Sequence, residues 1–287
     1  GIGGEGVFSQ NPTTEDILGT VYGGGVEEYE MVVCAAEKAA ISWKKTPAPT
    51  RAILVRDIAE ELRLHKTELG ALIAHEEVKI HSEGMGEVEE VINIADYAVG
   101  LSRTLSGNTV QSERGEHRSF ERWSPLGVVG VITAFNFPIA VWGWNAMIAA
   151  VCGNTVIWKP SPSTPLCAVA IQNICNRVME RHGVENIFNL ITEKDLAVSS
   201  AMVNDPKIPL ISFTGSCGVG RHIGKTVAGR MGRSLLELGG NNAVVVMDDA
   251  DLNLALKAVL FGAIGTAGQR CTTTRRLLVQ KGIFTRF

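Results

Sequence analysis

No excess of basic charge marks this chain: 27 Lys and Arg stand against 30 Asp and Glu, a net charge of −3, with no basic run. Nucleic acid and anionic membrane surfaces, which select for a positive stripe, are thereby excluded as partners. Cysteine is sparse and scattered: Cys34, Cys152, Cys167, Cys175, Cys217 and Cys271 form no C-x-x-C pair, and no histidine-rich segment accompanies them. That pattern excludes a zinc site or a disulfide framework. No metal is expected, and a reducing compartment fits, the cytoplasm first and the mitochondrion as the alternative. A long apolar run is also missing, because Asn136, Asn145 and Asn154 interrupt the most apolar stretch, 127–158, and leave no membrane-length segment. Residues 1–25 are glycine-rich and polar, without the apolar centre of a secretory signal. There is no internal repeat and no low-complexity segment. The chain starts at Gly1 rather than methionine and stops at Phe287 directly after a strand expected over 276–280, which reads as a fragment.

What is present is a 45% hydrophobic composition over 287 residues, enough for one large domain or two moderate ones. Apolar periodicity predicts helices near 26–45, 51–65, 67–80 and 85–103, with Pro47 and Pro49 separating the first two. From 118 the character changes. Strands are expected at 128–133, 155–158, 187–191, 210–213, 234–237 and 243–247, and helices at 138–152, 165–181, 195–203, 216–230 and 251–264. Such alternation predicts βαβ units, a parallel sheet with helices on both faces, and ligands beyond the carboxyl ends of the strands. Residues 104–123 are polar and extended in character, as in a surface hairpin or arm.

Four short stretches invite chemistry, each with a plainer reading beside it. In ISFTGSCGVGRHIGKT the strand turns through Gly215 and Ser216 into a helix whose free N–H groups could hold a phosphate. A tight strand-to-helix turn explains it equally well, since the dinucleotide fingerprint fails at the third glycine and the phosphate loop fails at Val219. LELGGNN sets Glu237 between two leucines at a strand end, where apolar surroundings would suit a general base; a carboxylate turned to solvent is the even alternative. In GVITAFNFPIAVWGWN, Asn136 follows an apolar strand and Pro138 suits a first helical position. Its amide could act as an oxyanion donor, although a helix cap is the more ordinary role. GQRCTTTRR holds a lone Cys271, either a nucleophile or a small buried residue filling a gap.

Taken together and in this order, FNFP, FTGS with Gly220, LELGG and GQRC resemble the aldehyde dehydrogenase superfamily from about residue 5 to the end, and the spacing of Glu237 and Cys271 agrees with it. Within the superfamily, ITAFNFP, GGNN, GTAGQRCTT and DYAVGLSR are most similar to the α-aminoadipic semialdehyde dehydrogenase, or antiquitin, group. The resemblance implies an α/β fold: a Rossmann-variant parallel sheet with helices on both faces plus the start of a second α/β catalytic domain. It places an NAD(P)-binding domain at 1–105 and 125–238, an oligomerisation arm at 106–124, and an incomplete catalytic domain at 239–287. It further implies oxidation of an aldehyde to a carboxylic acid, α-aminoadipic semialdehyde in lysine catabolism, by a homodimer or homotetramer. Cys271 would be the nucleophile, its charged form favoured by Arg270; the Asn136 amide and the Cys271 N–H would hold the oxyanion, and Glu237 would activate water against the thioester. The cofactor would meet Thr133, Ala134, Phe135, Lys159 at the adenosine ribose, Gly215 and Ser216 at the pyrophosphate, Val219 beside the adenine, and Gly220 and Leu238. Phe137, Trp144 and Thr272 would line the substrate pocket, with Glu90 and Arg270 holding the amino and carboxylate ends of the substrate.

Some features depart from the family's pattern. NLITEKDLAVSSAM carries Lys194, Asp195, Ser199 and Ser200 where many members have glycines, and Pro162 stands where NAD-selective members often carry a glutamate. NAD is expected on subgroup similarity, and the residues leave NADP open. A second cofactor glutamate is expected beyond Phe287. Three rivals remain: a coenzyme-A-acylating semialdehyde dehydrogenase, which usually lacks the Glu237 base; a non-catalytic binding protein on the same fold; and a nucleotide hydrolase, which needs the phosphate loop that fails.

Overall fold

Two runs of five residues, β5 (Val128–Ile132) and β6 (Thr155–Lys159), are buried at every position, as strands covered on both faces must be. Their side chains alternate between two cores. Val129, Val131, Val156 and Trp158 face one cluster, while Val128, Ile132 and Ile157 face the other. In the computed structural model, which describes residues 6–287, these strands sit in a five-stranded parallel sheet ordered β7-β6-β5-β8-β9. Its other members are β7 (Phe188–Leu190), β8 (Leu210–Gly215) and β9 (Arg233–Leu238). The order reverses between β5 and β8, so a crevice opens at their carboxyl ends.

Helices cover both faces, as expected. One core receives α2 (Ala48–Leu64), α3 (Lys66–Glu77), α4 (His81–Thr104), α5 (Ala140–Val151) and α6 (Pro165–Arg181). The other receives α1 (Val26–Trp43), α7 (Ala197–Asn204) and α8 (Cys217–Gly229). Trp142 stacks on Trp158 at 4.9 Å between centroids, with Phe188 edge-on at 5.7 Å, which welds α5 to the sheet.

Several boundaries differ from expectation for identifiable reasons. Helix α5 begins at Ala140, two residues after Pro138, because the Glu87 carboxylate accepts from the Ile139 and Ala140 N–H groups at 2.8 and 3.0 Å and caps the helix there. α4 starts at His81 rather than 85, and α7 at Ala197 rather than 195. An antiparallel hairpin of β1 (Gly6–Gln10) and β2 (Ile17–Tyr22) precedes α1 and was not expected. The polar segment after α4 carries a short exposed hairpin of β3 (Thr109–Val110) and β4 (Ser119–Phe120). The expected strand at 243–247 is β10 (Asn242–Val246), which pairs in parallel not with the large sheet but with β11 (Thr274–Val279). Helix α9 (Leu252–Ile264) joins them and leaves Leu254, Leu256, Leu260, Phe261 and Ile264 exposed. The first residues of the expected nucleotide-binding domain, 1–5, lie outside the described residues.

Candidate functional site

The four sequence motifs are tied to one another by hydrogen bonds beyond the carboxyl ends of the sheet. Asn136 Nδ2 donates to the Gln269 carbonyl at 2.7 Å, joining FNFP to GQRC. Asn242 Nδ2 donates to the carbonyls of Cys271 at 2.7 Å and Thr273 at 3.2 Å, joining GGNN to the same loop. Cys217 Sγ donates to the Gly239 carbonyl at 3.3 Å, joining the start of α8 to the end of LELGG. Thr214 and Glu237 are register partners on β8 and β9. Each link is local, and the chain of links closes over four segments far apart in sequence.

Cys271 is exposed, so it does not fill a gap. The turn that presents it runs through three consecutive left-handed residues, Thr266 (φ 54), Ala267 (φ 50) and Gly268 (φ 72). The first two are unfavourable for side chains with a Cβ, and the β-branched Thr266 is the worse of them. The excursion is clamped from α4. The Glu83 carboxylate accepts from the Thr266 N–H at 3.0 and 3.2 Å and from Arg270 Nη2 at 3.0 Å, while Arg270 Nε donates to Thr266 Oγ1 at 2.8 Å. Strain stored next to a reactive side chain and over-determined by its surroundings is a recurring property of functional sites.

Asn136 does not cap α5, since that end is satisfied by Glu87. One of its two amide hydrogens is spent on Gln269, which leaves the other as a donor. Of the two even readings of Glu237, the outward-turned carboxylate is the one found. β9 is an edge strand, Leu236 and Leu238 turn toward the core, and the period of two sends Glu237 with Leu235 to solvent. Thr272 is exposed beside Cys271.

Phe137, Trp144, Glu90 and Arg270 share one wall. The two rings lie 6.4 Å apart, and the Arg270 guanidinium carbon is 6.0 Å from the Phe137 centroid and 5.0 Å from that of Phe261. Arg270, expected to clamp a carboxylate, is here committed to Glu83 and Thr266. Glu90 is an exposed residue, yet desolvation of its carboxyl and then the Glu87 charge hold it above the usual range. Behind Phe137 lies a buried ionic cluster absent from the sequence reading. Lys79 Nζ sits 3.8 Å from the Phe137 centroid, donates to Glu87 Oε2 at 2.5 Å, and stands 4.0 Å from Glu77. Both Glu77 oxygens are buried without a hydrogen-bond partner among the described residues, and desolvation pushes its carboxyl up to about 8.

On the crevice side, Thr133 Oγ1 accepts from Trp158 Nε1 at 2.9 Å and its N–H donates to the Lys159 carbonyl at 3.1 Å, holding the turn through Ala134 and the exposed Phe135. Ser216 caps α8, its hydroxyl accepting from the Val219 N–H at 3.3 Å. A Cβ at Gly220 would lie 2.3 Å from Leu238 Cδ2, so a side chain there would have to displace Leu238 where α8 packs against β9. The Thr214 hydroxyl is buried and unpartnered among the described residues, at the strand end just before Gly215 and the α8 N-terminus. An orphan hydroxyl just before a helix N-terminus, in the same sheet as the lysine that ends β6, suits a ligand that carries both hydroxyls and phosphates, so these residues fit a dinucleotide. Among the described residues no group of three or more His, Cys, Asp or Glu could hold a metal, and no helix is long and apolar enough to cross a membrane.

The sequence profile of the Aldehyde dehydrogenase family matches residues 4–287. The chain belongs to this family. Among aldehyde dehydrogenases, it is 49% identical over 278 residues to aldehyde dehydrogenase family 7 member A1 of Pisum sativum, covering 97% of this chain and 55% of that protein. It is 44% identical over 280 residues to the α-aminoadipic semialdehyde dehydrogenase of Bos taurus, covering 98% of this chain and 52% of that one. Its fold matches the lactaldehyde dehydrogenase of Escherichia coli with a TM-score of 0.94 at 34% identity, over 100% of this chain and 60% of that one. A 3,6-anhydro-L-galactose dehydrogenase solved in complex with NAP matches equally well, at 29% identity over 99% of this chain and 59% of that one. The chain spans about half the length of the curated aldehyde dehydrogenases it matches.

Of the groups that hold these segments together, the sequence reading does not single out Glu83, Glu87 and Glu193. Glu193 binds Lys159 at 3.1 Å. No local sequence signal marks it, since only the register of Trp158 with Leu190 carries the chain after β7 past the end of β6.

Proposed function

We propose that this chain carries the dinucleotide-binding part and the nucleophile of an NAD(P)-dependent aldehyde dehydrogenase that converts an aldehyde to a carboxylic acid, with α-aminoadipic semialdehyde as its substrate. The observation that carries the reading is the hydrogen-bonded convergence of Asn136, the Cys271 turn and Asn242 over the crevice. In this reading residues 1–105 and 125–238 bind the dinucleotide, 106–124 form an oligomerisation arm of a homodimer or homotetramer, and 239–287 begin the catalytic part.

Cys271 Sγ attacks the carbonyl carbon, forming a C–S bond while the carbonyl oxygen takes the electron pair. The second Asn136 amide hydrogen and the Cys271 N–H stabilise that oxygen. A nicotinamide dinucleotide, when bound, would accept the hydride that leaves the substrate carbon as the thiohemiacetal C–H bond breaks and the oxygen's electron pair reforms the carbonyl of the thioester. Thr133, Ala134, Phe135, Lys159, Gly215, Ser216, Val219, Gly220 and Leu238 would hold it. Glu237, open to solvent on β9, takes the proton from the water that cleaves the thioester, releasing the acid and restoring the thiol. Phe137, Trp144 and Thr272 line the approach, Glu90 faces the amino end of the substrate, and Arg270 reaches its carboxylate by releasing Glu83.

The test uses the complete protein that contains this chain. Reduced-nicotinamide absorbance is followed on mixing with an amino-acid semialdehyde, with and without coenzyme A, for wild type, Cys271→Ala and Asn136→Ala. Absorbance growth without coenzyme A, lost in Cys271→Ala and reduced about 10²- to 10³-fold in Asn136→Ala, is expected. A strict requirement for coenzyme A, or full turnover by Cys271→Ala, refutes the assignment.

A further inference from the structure

Lys79 lies in the short link between α3 and α4, directly after the left-handed Val78 that ends α3 at φ 71. Its side chain is 1% exposed, and no step described above uses it. The ammonium rests 3.8 Å from the centroid of the Phe137 ring, the distance of a desolvated cation–π contact. The other aromatic and cationic neighbours of that ring are more distant, Trp144 at 6.4 Å and the Arg270 guanidinium carbon at 6.0 Å.

The same cation is anchored to the start of α5 through Glu87. One oxygen of that carboxylate accepts from Lys79 at 2.5 Å, and the other accepts from the Ile139 and Ala140 N–H groups at 2.8 and 3.0 Å. The segment that begins with Asn136 and Phe137 is therefore gripped twice from one buried ion pair, at the ring of 137 and at the backbone of 139 and 140. Stability alone is a poor reason for such a cluster, since apolar side chains of similar volume usually do as well as a buried ion pair. This one is also incompletely satisfied. Glu77 Oε2 stands 4.0 Å from Lys79 Nζ, beyond hydrogen-bond reach, and neither Glu77 oxygen has a hydrogen-bond partner among the described residues. Desolvation lifts the Glu77 carboxyl to about 8, so near neutral pH it keeps its proton and leaves the Lys79 charge to Glu87. What the cation supplies that an apolar residue could not is direction. An ammonium is drawn to the face of a ring rather than to its edge, which fixes the tilt of Phe137 as well as its place.

We propose that Lys79 is a positioning residue of the aldehyde site: anchored by Glu87 to the start of α5, it orients the Phe137 ring against the substrate. The proposal rests on the aldehyde-oxidising reading given above.

The test uses the complete protein that contains this chain, as wild type, Lys79→Met, Phe137→Leu, the double variant and Lys79→Arg. Reduced-nicotinamide absorbance gives kcat/KM for an amino-acid semialdehyde, and titration calorimetry gives Kd for NAD. Lys79→Met should lower kcat/KM about tenfold or more. Phe137→Leu should lower it at least as much, and the double variant should be no worse than Phe137→Leu, because one residue acts through the other. Lys79→Arg, which keeps the cation, should recover part of the loss. The Kd for NAD should stay within about twofold throughout, as it would not if the whole fold loosened. Fluorine NMR of a 4-fluorophenylalanine placed at position 137 reads the ring without turnover; its resonance should shift or broaden in Lys79→Met and return toward the wild-type position in Lys79→Arg. If Lys79→Met does not fold, Lys79→Met combined with Glu87→Gln takes its place, since it leaves no unpaired charge and keeps an acceptor for the α5 N–H groups. Losses that multiply in the double variant, full turnover by Lys79→Met, or an unmoved fluorine resonance overturn the role of Lys79. A wild type that turns over no aldehyde with NAD or NADP overturns the aldehyde reading itself, and the proposal with it.

Discussion

Replacing Glu83 by alanine isolates what holds the reactive loop in place. Thr266 and Ala267 both adopt left-handed backbone angles, at a cost of ~1–2 kcal/mol each, or about 2–4 kcal/mol together. Against that stands one carboxylate accepting from the Thr266 N–H and from the Arg270 guanidinium. Hydrogen bonds to a charged group contribute ~1.5–3 kcal/mol, and partial exposure of this pair places it at the lower end. Clamp and strain are therefore of similar size, so losing the clamp should free the loop to leave its left-handed excursion. Urea unfolding of Glu83→Ala should show a loss of about 2 kcal/mol. Peptide-level mass spectrometry of iodoacetamide labelling should show a several-fold change in the rate at Cys271. Cys34, also exposed but outside this loop, serves as the internal control and should not change. Adding Ala267→Gly removes part of the strain and should recover about 1 kcal/mol. Wild-type stability and wild-type Cys271 labelling in Glu83→Ala would refute the claim that strain and clamp oppose each other here.

Two further outcomes are expected. Val78 ends α3 in the left-handed region at φ 71, an unfavourable place for a β-branched side chain; Val78→Gly should raise the urea midpoint by about 1 kcal/mol equivalent, and no change or a fall would contradict the strain argument. The Glu77 carboxyl is raised in the folded state from its ordinary value to about 8, so the folded chain holds a proton that the unfolded chain releases, and stability falls as pH rises through that window. Glu77→Gln should flatten the fall in urea midpoint between about pH 5 and pH 8, and an unaltered pH profile would show that Glu77 titrates normally.

Much of the architecture was legible because parallel strands buried on both faces advertise themselves. VVGVI and the VIW centre of TVIWK are apolar throughout, and the helix that follows β6 keeps the 3.6-residue period. The β1-β2 hairpin escaped notice for the converse reason. ILGTVY leaves its side chains open to solvent and mixes polar with apolar residues without a buried face, so no alternation marks it. The start of α5 was misplaced because Pro138 is a sound local signal, while the group that caps the helix, Glu87, lies on another helix.

The sequence by itself determined the parallel α/β core and the membership in a family of aldehyde dehydrogenases, since both are written in local patterns and short motifs. Tertiary structure alone decided how those motifs meet. Asn136 reaches Gln269, Asn242 reaches Cys271, Glu83 restrains the left-handed turn, and Glu193 confronts Lys159. The physical reason is range. Periodicity and turn chemistry act over a few neighbouring residues, whereas a hydrogen bond or an ion pair between distant segments exists only once the sheet register has set their strand ends side by side. Burial is decided at the same moment, which is why Glu237 met solvent on an edge strand and Glu193 met a lysine in the interior.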